Sequence, residues 1–567
     1  MARAIQTNWR LSIILAGIFL FGAIIGGRLV FVQIFQYGFY KALAQGQQTL
    51  QTFSQGDRGR IFAQDKAGNR YVLAMNQQRA FAFLSPAEMN LTEAEKEKFA
   101  EELASILMLE KAFVKGQLEK DGSLYELLKR DLALGEQQSL ETLGYKGLYV
   151  GAETVRAYPQ EMMAAHVVGF TNTDGIGQYG VEGYFDEELR GIEGIKMQAK
   201  NPAGYLLSVF RDTAQDGSDV ALTLDYNIQA EAEKLLKRGQ EQLRIEGGSI
   251  VVMEPASGKI LAMASVPNFD LNNYGSVDDL KVFQNPVIQT VFEPGSIFKP
   301  ITMAAALDEG VVTPETSYED TGIVEIGGRT VYNYDRHVWG RRTMTEVLQY
   351  SINTGAVFAE RELGHRRFLQ YLEKFGFFEP TFISMAGEVA SANAEFQKGY
   401  EINFATAAFG QGIEMTQLQM MRAFSALANN GILPQPFIVE GKREERQSGN
   451  VQVVSSKAAS EVTAMLVNVV QNGYGKSAGI SGYWIAGKTG TAQVPWSALG
   501  INQSGYSDKT IQSFIGYAPA YSPRFLILVK LDNPAAQTAE YSAAPIFRDM
   551  AKYIIEYYQI PPDYEVE

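Results

Sequence analysis

From Leu11 to Gly27 no residue carries a charge, Arg28 interrupts, and the apolar run resumes to Phe35. A helix of that length spans the ~30 Å hydrocarbon core of a bilayer, and an arginine near its end can snorkel to the interface. The pattern predicts a transmembrane anchor over 11–35. Arg3 and Arg10 precede it. By the positive-inside rule, residues 1–10 are expected in the cytoplasm and the rest of the chain outside the cell membrane. A cleaved signal peptide is the rival, but its cleavage-like Ala42-Leu43-Ala44 lies too far beyond the apolar run.

After the anchor the pattern shortens. Gly59 and the Lys66-Ala67-Gly68-Asn69 turn frame short strand-like runs such as Tyr71 to Ala74. From Ser85 to Leu143 the period becomes helical and the polar positions are densely charged, with Asn90 or Thr92 as the cap of a first helix. A solvated helix surface accounts for that charge more simply than a docking face. Arg156 to Phe170 and Gly177 to Gly194 are glycine-rich and read as loop-and-helix connector, with no chemistry assignable. Asp219 to Gln229 reads as a strand running into a helix. A boundary near 220 would separate a 36–220 pedestal from a 221–567 domain.

In the second part, Gly247 to Ser265 gives two strands around a turn at Pro255 to Gly258. A mostly helical middle follows, from Ser296 to about Asn430. Strand-like runs return at Tyr483 to Val494, Ser513 to Ala518 and Phe525 to Leu531. Pro519 and Pro523 mark the last turn. Ala544 to Tyr558 closes the chain as an amphipathic helix. Strands at both ends with helices between predict an antiparallel sheet with helices on its faces. The fold class is therefore α+β and multi-domain.

Composition narrows the chemistry. The formal net charge of −14 over 567 residues argues against a nucleic-acid partner. With no cysteine there is neither a disulfide nor a thiolate metal site, and the three histidines, His166, His337 and His365, are too few for a histidine-rich centre. No cofactor is implied. A serine–histidine–aspartate triad with His337 stays open, although the candidate serine sits in PGSIF and not in a G-x-S-x-G elbow.

That serine is Ser296, in EPGSIFKP (Glu293 to Pro300), three residues ahead of Lys299. A hydroxyl needs an adjacent base to become a nucleophile, and a lysine three places on lies on the same helix face. Pro300 is tolerated only in a first turn, so the helix should begin at or just after Ser296 and end near Gly310. Taken alone, this is equally a serine N-cap beside a surface lysine. Downstream, Thr343-Met344-Thr345-Glu346 fits a capping box whose helix runs out at Ser351-Ile352-Asn353. On an extended backbone Ser351 and Asn353 would point the same way. A hydroxyl can relay a proton, and an amide can accept from a lysine and donate to a carbonyl. The plainer reading is a Ser/Asn turn between helices.

The third motif is Lys488-Thr489-Gly490-Thr491, in a strand of small residues. Gly490 would let a substrate backbone lie against the strand edge. Lys488 and Thr489 could hold a carboxylate, and the N–H of Thr491 could pair with that of Ser296 as an oxyanion hole. Gly482 to Thr489 also fits a phosphate-binding loop, G-x-x-x-x-G-K-T. Tyr483, Trp484 and Ile485 suit a strand, however, and GTAQVP is a poor helix start.

The three motifs in this order resemble the signature of penicillin-binding proteins and serine β-lactamases. With the anchor they resemble class B penicillin-binding proteins, and the likeness covers nearly the whole chain. It includes DRGRIF near Asp57, RAYP at Arg156 to Pro159, GVEGYFDEELRG, LTLDYNIQ, VMEPASGKILAMAS, FGQGIEMTQLQM, AGKTGTAQVP and SFIGYAPAYSPR. EPGS, RAYP and the compact C-terminus are more similar to the division type than to the elongation type.

The resemblance implies a single transmembrane helix, an elongated mixed α/β pedestal or dimerisation domain, and a transpeptidase domain of serine β-lactamase-like fold. It implies D,D-transpeptidation of peptidoglycan stem peptides, with β-lactams acylating Ser296. By resemblance Lys299 is the general base, and Ser351 passes a proton to the leaving amine. Asn353 orients Lys299 and the donor peptide, and Lys488 and Thr489 recognise the terminal carboxylate. The implied partner is a polytopic membrane glycan polymerase. A β-lactamase or D,D-carboxypeptidase, in which water resolves the acyl-enzyme, and a non-catalytic penicillin-binding sensor or scaffold are the alternatives.

Overall fold

The computed structural model describes residues 9–30, 49–54, 56–192, 194–200, 206–212, 214–442 and 451–565. These fall into two compact units, one from 1–58 and 190–217, the other from 59–189 and 218–567.

The first unit contains a 22-residue helix, Trp9–Val30. It also holds an antiparallel three-stranded sheet in which Gly194–Lys200 lies between Thr49–Ser54 and Leu206–Asp212. Among the described residues no helix is long and apolar enough to cross a membrane. Residues 1–8, the end of the expected anchor (31–35) and Ala42-Leu43-Ala44 lie outside the described residues.

The second unit opens with a sheet built on the long strand Arg70–Leu84, to which Ile61–Gln64, Glu126–Lys129 and Leu148–Ala157 all pair. The turn before it is closed by the Asp65 carboxylate, which accepts from the N–H groups of Ala67 and Asn69, each at 2.9 Å. The charged stretch is helical over Glu93–Leu107, Lys111–Leu118 and Leu134–Leu143, with Thr92 and Glu95 forming a capping box. Phe99, Leu103, Leu107, Val114 and Leu118 are buried together with the sheet residues Ala82 and Leu84. The charges face solvent, as with Lys111 and Glu101 at 3.0 Å.

Val220–Asp225, the strand expected at the boundary, pairs in parallel with Ile61–Gln64. It therefore belongs to this first sheet, while the helix it runs into packs on the next. The RAYP segment is more than a connector. Arg156 Nε donates to Glu182 Oε1 at 2.7 Å, with side-chain exposures of 4 % and 0 %. An ion pair so dry is a weak source of stability, but removing one partner strands a charge.

The C-terminal sheet has strands β1 (Gly247–Met253), β2 (Ile260–Val266), β3 (Ala486–Pro495), β4 (Tyr506–Ala518) and β5 (Phe525–Asp532), in the spatial order β2-β1-β5-β4-β3. Every neighbouring pair is antiparallel, as the sequence pattern predicts. α1 (Tyr226–Leu243), α4 (Ser456–Asn472) and α5 (Ala543–Tyr558) pack on it, while α2 (Lys299–Asp308) packs against α4, and α3 (Asn353–Leu363) against α2. Strand side chains alternate between faces. Ile250, Val252, Ile527 and Val529 join Ile228, Leu235, Phe547 and Ile554 on the α1/α5 side. Val251, Met253, Leu526 and Leu528 join Ile297, Phe298, Met420 and Leu466 on the other. Full burial of each such side chain contributes about 1.5–3 kcal/mol.

The middle of this domain is less purely helical than its pattern suggested. Two ribbons interrupt it: Ser317–Asp320 with Gly340–Thr343, and Ile323–Ile326 with Arg329–Tyr332. The tip of the second is Gly327-Gly328, both at positive φ (55° and 76°). Two such residues favour the tight mirror-image turn that matches strand twist.

Candidate active site

Residues Gly295–Phe298 form a 3-10 turn, and the α-helix proper begins at Lys299. The sequence placed the helix start at or just after Ser296; the tighter turn is the finer feature it could not show. In a 3-10 turn the side chains at i and i+3 eclipse. Lys299 Nζ accordingly lies 3.1 Å from Ser296 Oγ. Ser296 is half-buried and Lys299 fully buried.

The capping box at Thr343 and Glu346 forms as expected, and its helix ends at Gln349. The Ser351-Ile352-Asn353 segment is not extended. Ser351 is left-handed (φ 56°), and Asn353 is the first residue of α3. A non-glycine residue there costs on the order of 1–2 kcal/mol. This bend, and not strand alternation, turns both side chains inward. Lys299 Nζ donates to Asn353 Oδ1 at 2.8 Å, lies 3.1 Å from Ser351 Oγ, and bonds the Ser351 carbonyl. The other side of the Asn353 amide donates to the Tyr332 carbonyl at 2.9 Å, which sets its orientation.

Lys488, Thr489, Gly490 and Thr491 lie on β3, an edge strand. Lys488 is 0 % exposed. Its Nζ donates to Ser351 Oγ at 2.9 Å and to the Thr489 carbonyl at 3.0 Å. One hydroxyl, that of Ser351, therefore stands between two lysines. The strand continues to Pro495 with no helix after Thr489, which removes the phosphate-loop reading. His337 packs against Trp339 with the rings tilted, 4.3 Å between ring centres, and the group beside Ser296 Oγ is the Lys299 amine, so no histidine triad is built.

This geometry agrees with the comparisons. Residues 248–552 match the penicillin binding protein transpeptidase domain, and residues 53–222 match the penicillin-binding protein dimerisation domain. The chain belongs to the penicillin-binding proteins. Its pairing of a dimerisation with a transpeptidase domain is that of class B. Stage V sporulation protein D of Bacillus subtilis is 32 % identical, covering 94 % of this chain and 83 % of the relative. The probable peptidoglycan D,D-transpeptidase PbpC of Pseudomonas aeruginosa is 30 % identical, over 98 % of this chain and 97 % of the relative. Among solved structures, penicillin binding protein 3 of Mycobacterium tuberculosis complexed with aztreonam superposes with a TM-score of 0.68. It is 27 % identical, covering 90 % of this chain and 98 % of that one.

In this penicillin-binding protein the two lysines are electrostatically exposed to each other. Burial drives the Lys299 amine well below its ordinary value, and the neighbouring Lys488 pushes it the same way. Burial alone takes Lys488 down to about 7. The partners around Lys299 accommodate a neutral amine. The Ser351 carbonyl and Asn353 Oδ1 can only accept, so they use two N–H bonds. A neutral amine then has its lone pair left to face a hydroxyl proton.

Sequence reasoning missed Glu293, although it belongs to the same EPGS motif. Its carboxyl accepts from the Gly412 N–H and the Tyr506 hydroxyl, each at 3.0 Å. Burial pushes it up to about 7. Glu293 thus ties the Ser296 turn both to the 410–412 loop and to the start of β4.

Gly490 shows how closely β3 meets that turn. A Cβ there would come within 2.6 Å of Ser513 Oγ, 2.9 Å of an Ile297 methyl carbon and 3.2 Å of the Pro294 carbonyl oxygen. Gly490→Ala is expected to push the Ser296 turn away from β3. A displacement near 1 Å costs about 10²-fold in rate, so the β-lactam acylation rate constant should drop by that order. Stopped-flow acylation checks it; an unchanged rate constant in the folded variant would mean the turn is not seated by this contact.

Proposed function

We propose that this protein is a membrane-anchored peptidoglycan D,D-transpeptidase of the division type, cross-linking stem peptides outside the cell membrane. The observation that carries the reading is the position of one amine: Lys299 Nζ is within hydrogen-bonding distance of Ser296 Oγ, Ser351 Oγ and Asn353 Oδ1. In the first step Lys299 Nζ takes the Ser296 hydroxyl proton while Oγ bonds to the carbonyl carbon of the penultimate D-alanine. The N–H groups of Ser296 and Thr491 receive the oxyanion. The C–N bond then breaks, and the departing D-alanine nitrogen takes a proton through the Ser351 hydroxyl. In the second step the amine of a neighbouring stem peptide attacks the ester, its proton leaves by the same route, and Ser296 is released.

Asn353 holds Lys299 and offers its amide edge to the donor peptide. Thr489 meets the terminal carboxylate. The fully buried Lys488 acts from behind it through charge and through Ser351.

Retention of the apolar 11–35 segment as a single-pass anchor, with residues 36–220 as pedestal, is part of the same reading. So is a polytopic membrane glycan polymerase as partner. The division type is supported by relatives that include a protein named peptidoglycan D,D-transpeptidase FtsI homolog.

Intact-mass analysis after β-lactam treatment tests the function. We expect one adduct, mapped to the Ser296 peptide and persisting for hours. Loss of the adduct within seconds would make the protein a β-lactamase, and no adduct would make it non-catalytic.

A further inference from the structure

Asp320 ends the strand Ser317–Asp320 and is 2 % exposed. Its carboxylate accepts from four groups, all neutral. These are the N–H of Gly322 (3.1 Å), the N–H of Trp339 (2.7 Å), the side-chain amide of Asn333 (3.0 and 3.1 Å) and the Thr354 hydroxyl (2.6 Å). Burying a carboxylate is costly unless its hydrogen bonds are complete. The donors come from four separate places in the chain, so the anion fastens them to one another.

What it fastens is the start of α3. That helix has Ile352 at its N-cap position, a side chain with no oxygen to satisfy the first-turn N–H groups. The cap comes from elsewhere in the chain: Asn333 Oδ1 accepts from the Thr354 N–H at 3.1 Å. Asp320 and the His337 carbonyl hold the other end of that amide, so it can present only its oxygen to the helix. One residue earlier, the Tyr332 carbonyl holds Asn353. The pair Tyr332-Asn333 thus grips residues 353 and 354 in register, and Asp320 anchors the grip. An anion at the opening of a helix is also favoured by the helix dipole.

Packing does not do this alone. A cavity of about 180 Å³, lined by Tyr318, Asp320, Thr354 and Phe358 among others, lies against the same carboxylate–hydroxyl bond. On that side the Tyr318 hydroxyl, 3.2 Å from the Thr354 hydroxyl, is the other polar contact to the first turn of α3.

We infer that Asp320 is a positioning residue of the transpeptidase. Through Thr354 and Asn333 it fixes the first turn of α3, and so sets Asn353 Oδ1 and the Ser351 bend against Lys299 Nζ. This rests on the reading of Ser296 and Lys299 as nucleophile and base. Asp320 touches no reacting atom; it acts on where the base's partners stand.

Asp320→Asn keeps the shape, but in either amide orientation an N–H group meets the N–H of Gly322 or of Trp339. Thr354→Val removes the hydroxyl that meets Asp320 at 2.6 Å and Asn333 Oδ1 and the Tyr318 hydroxyl at 3.2 Å, and Thr354→Ser restores it. The measurement is the acylation rate constant with a fluorescent penicillin, per titratable site, across pH.

Misplacing the base's partners should lower the rate constant about 10- to 100-fold in Asp320→Asn and in Thr354→Val. It should also move the acid limb of the pH profile, because Lys299 then loses its fixed acceptors. Thr354→Ser should return both quantities close to wild type. If the rate constant per site and the pH limb stay unchanged in both variants while only melting temperature or titre falls, Asp320 is merely structural and the inference is overturned. Should Asp320→Asn fail to fold, Thr354→Val and Thr354→Ser decide it alone. Wild-type protein that takes no label at Ser296 overturns the underlying transpeptidase reading instead.

Discussion

Ser296→Ala should take up no β-lactam at all, while the protein keeps its fold. The hydroxyl is half-buried, and its contact with a side chain is the 3.1 Å one from Lys299. Losing one such hydrogen bond costs about 0.5–1.5 kcal/mol, too little to unfold a domain of this size. Catalytically the loss is complete for covalent chemistry, because no acyl-enzyme can form without Oγ. In a serine enzyme, removing the nucleophile lowers turnover on the order of 10⁶-fold. Intact mass should show the unmodified protein at every β-lactam concentration, with an unchanged melting temperature. A stable adduct on Ser296→Ala would place the nucleophile elsewhere and remove the basis of the mechanism.

Substituting Lys299 should be nearly as severe, and it separates a base from a charge. Lys299→Met keeps the length and burial of the side chain and deletes the amine. A general base contributes about 10²–10⁴-fold, so acylation should slow by that factor. Lys299→Arg keeps a cation but cannot act as a base, since guanidinium is not deprotonated in proteins. If Lys299 only supplied positive charge, Arg would rescue; as a base, it should fail as Met does.

The pH profile gives the sign. Below the depressed value of Lys299 the amine is protonated and cannot accept the Ser296 proton. Acylation should therefore rise with pH through that value and level off well short of 10.5, the ordinary lysine value. The limb should vanish in Lys299→Met. Stability follows the same ionisation. Between its folded value and 10.5 the amine is neutral when folded and protonated when unfolded, so the unfolded chain binds more protons and stability rises with pH. Loss of this rise in Lys299→Met, read from urea midpoints, is the check. A wild-type acylation rate flat with pH would contradict the assignment.

Much of the sheet and many helix starts were legible in the chain. The turn at Pro255 to Gly258 separates two buried strands, the runs at 513–518 and 525–531 lie within β4 and β5, and Thr92 and Thr343 cap the helices they announce. These features are set by neighbours a few residues apart, where side-chain period, capping oxygens and proline geometry act directly. The strand at 220–225 could be read as a strand but not assigned to its sheet, because its partner at 61–64 is distant in the chain. The ribbons at 317–343 escaped because four-residue strands carry little periodicity, and the outer pair is separated by the inner one.

The motifs named the groups of the site before any coordinates did, because Ser296 and Lys299 are three residues apart and their meeting is a local matter. The sequence by itself thus named the candidate nucleophile, its candidate base and the strand expected to face them. The tertiary structure decided the rest. It placed Ser351 between Lys299 and Lys488, segments 52 and 137 residues from it. It buried both amines so that one can be neutral, and it turned the Asn353 amide through a carbonyl 21 residues away. Proton affinity depends on the solvent and charge around an atom, and those surroundings are assembled only when distant segments close over it.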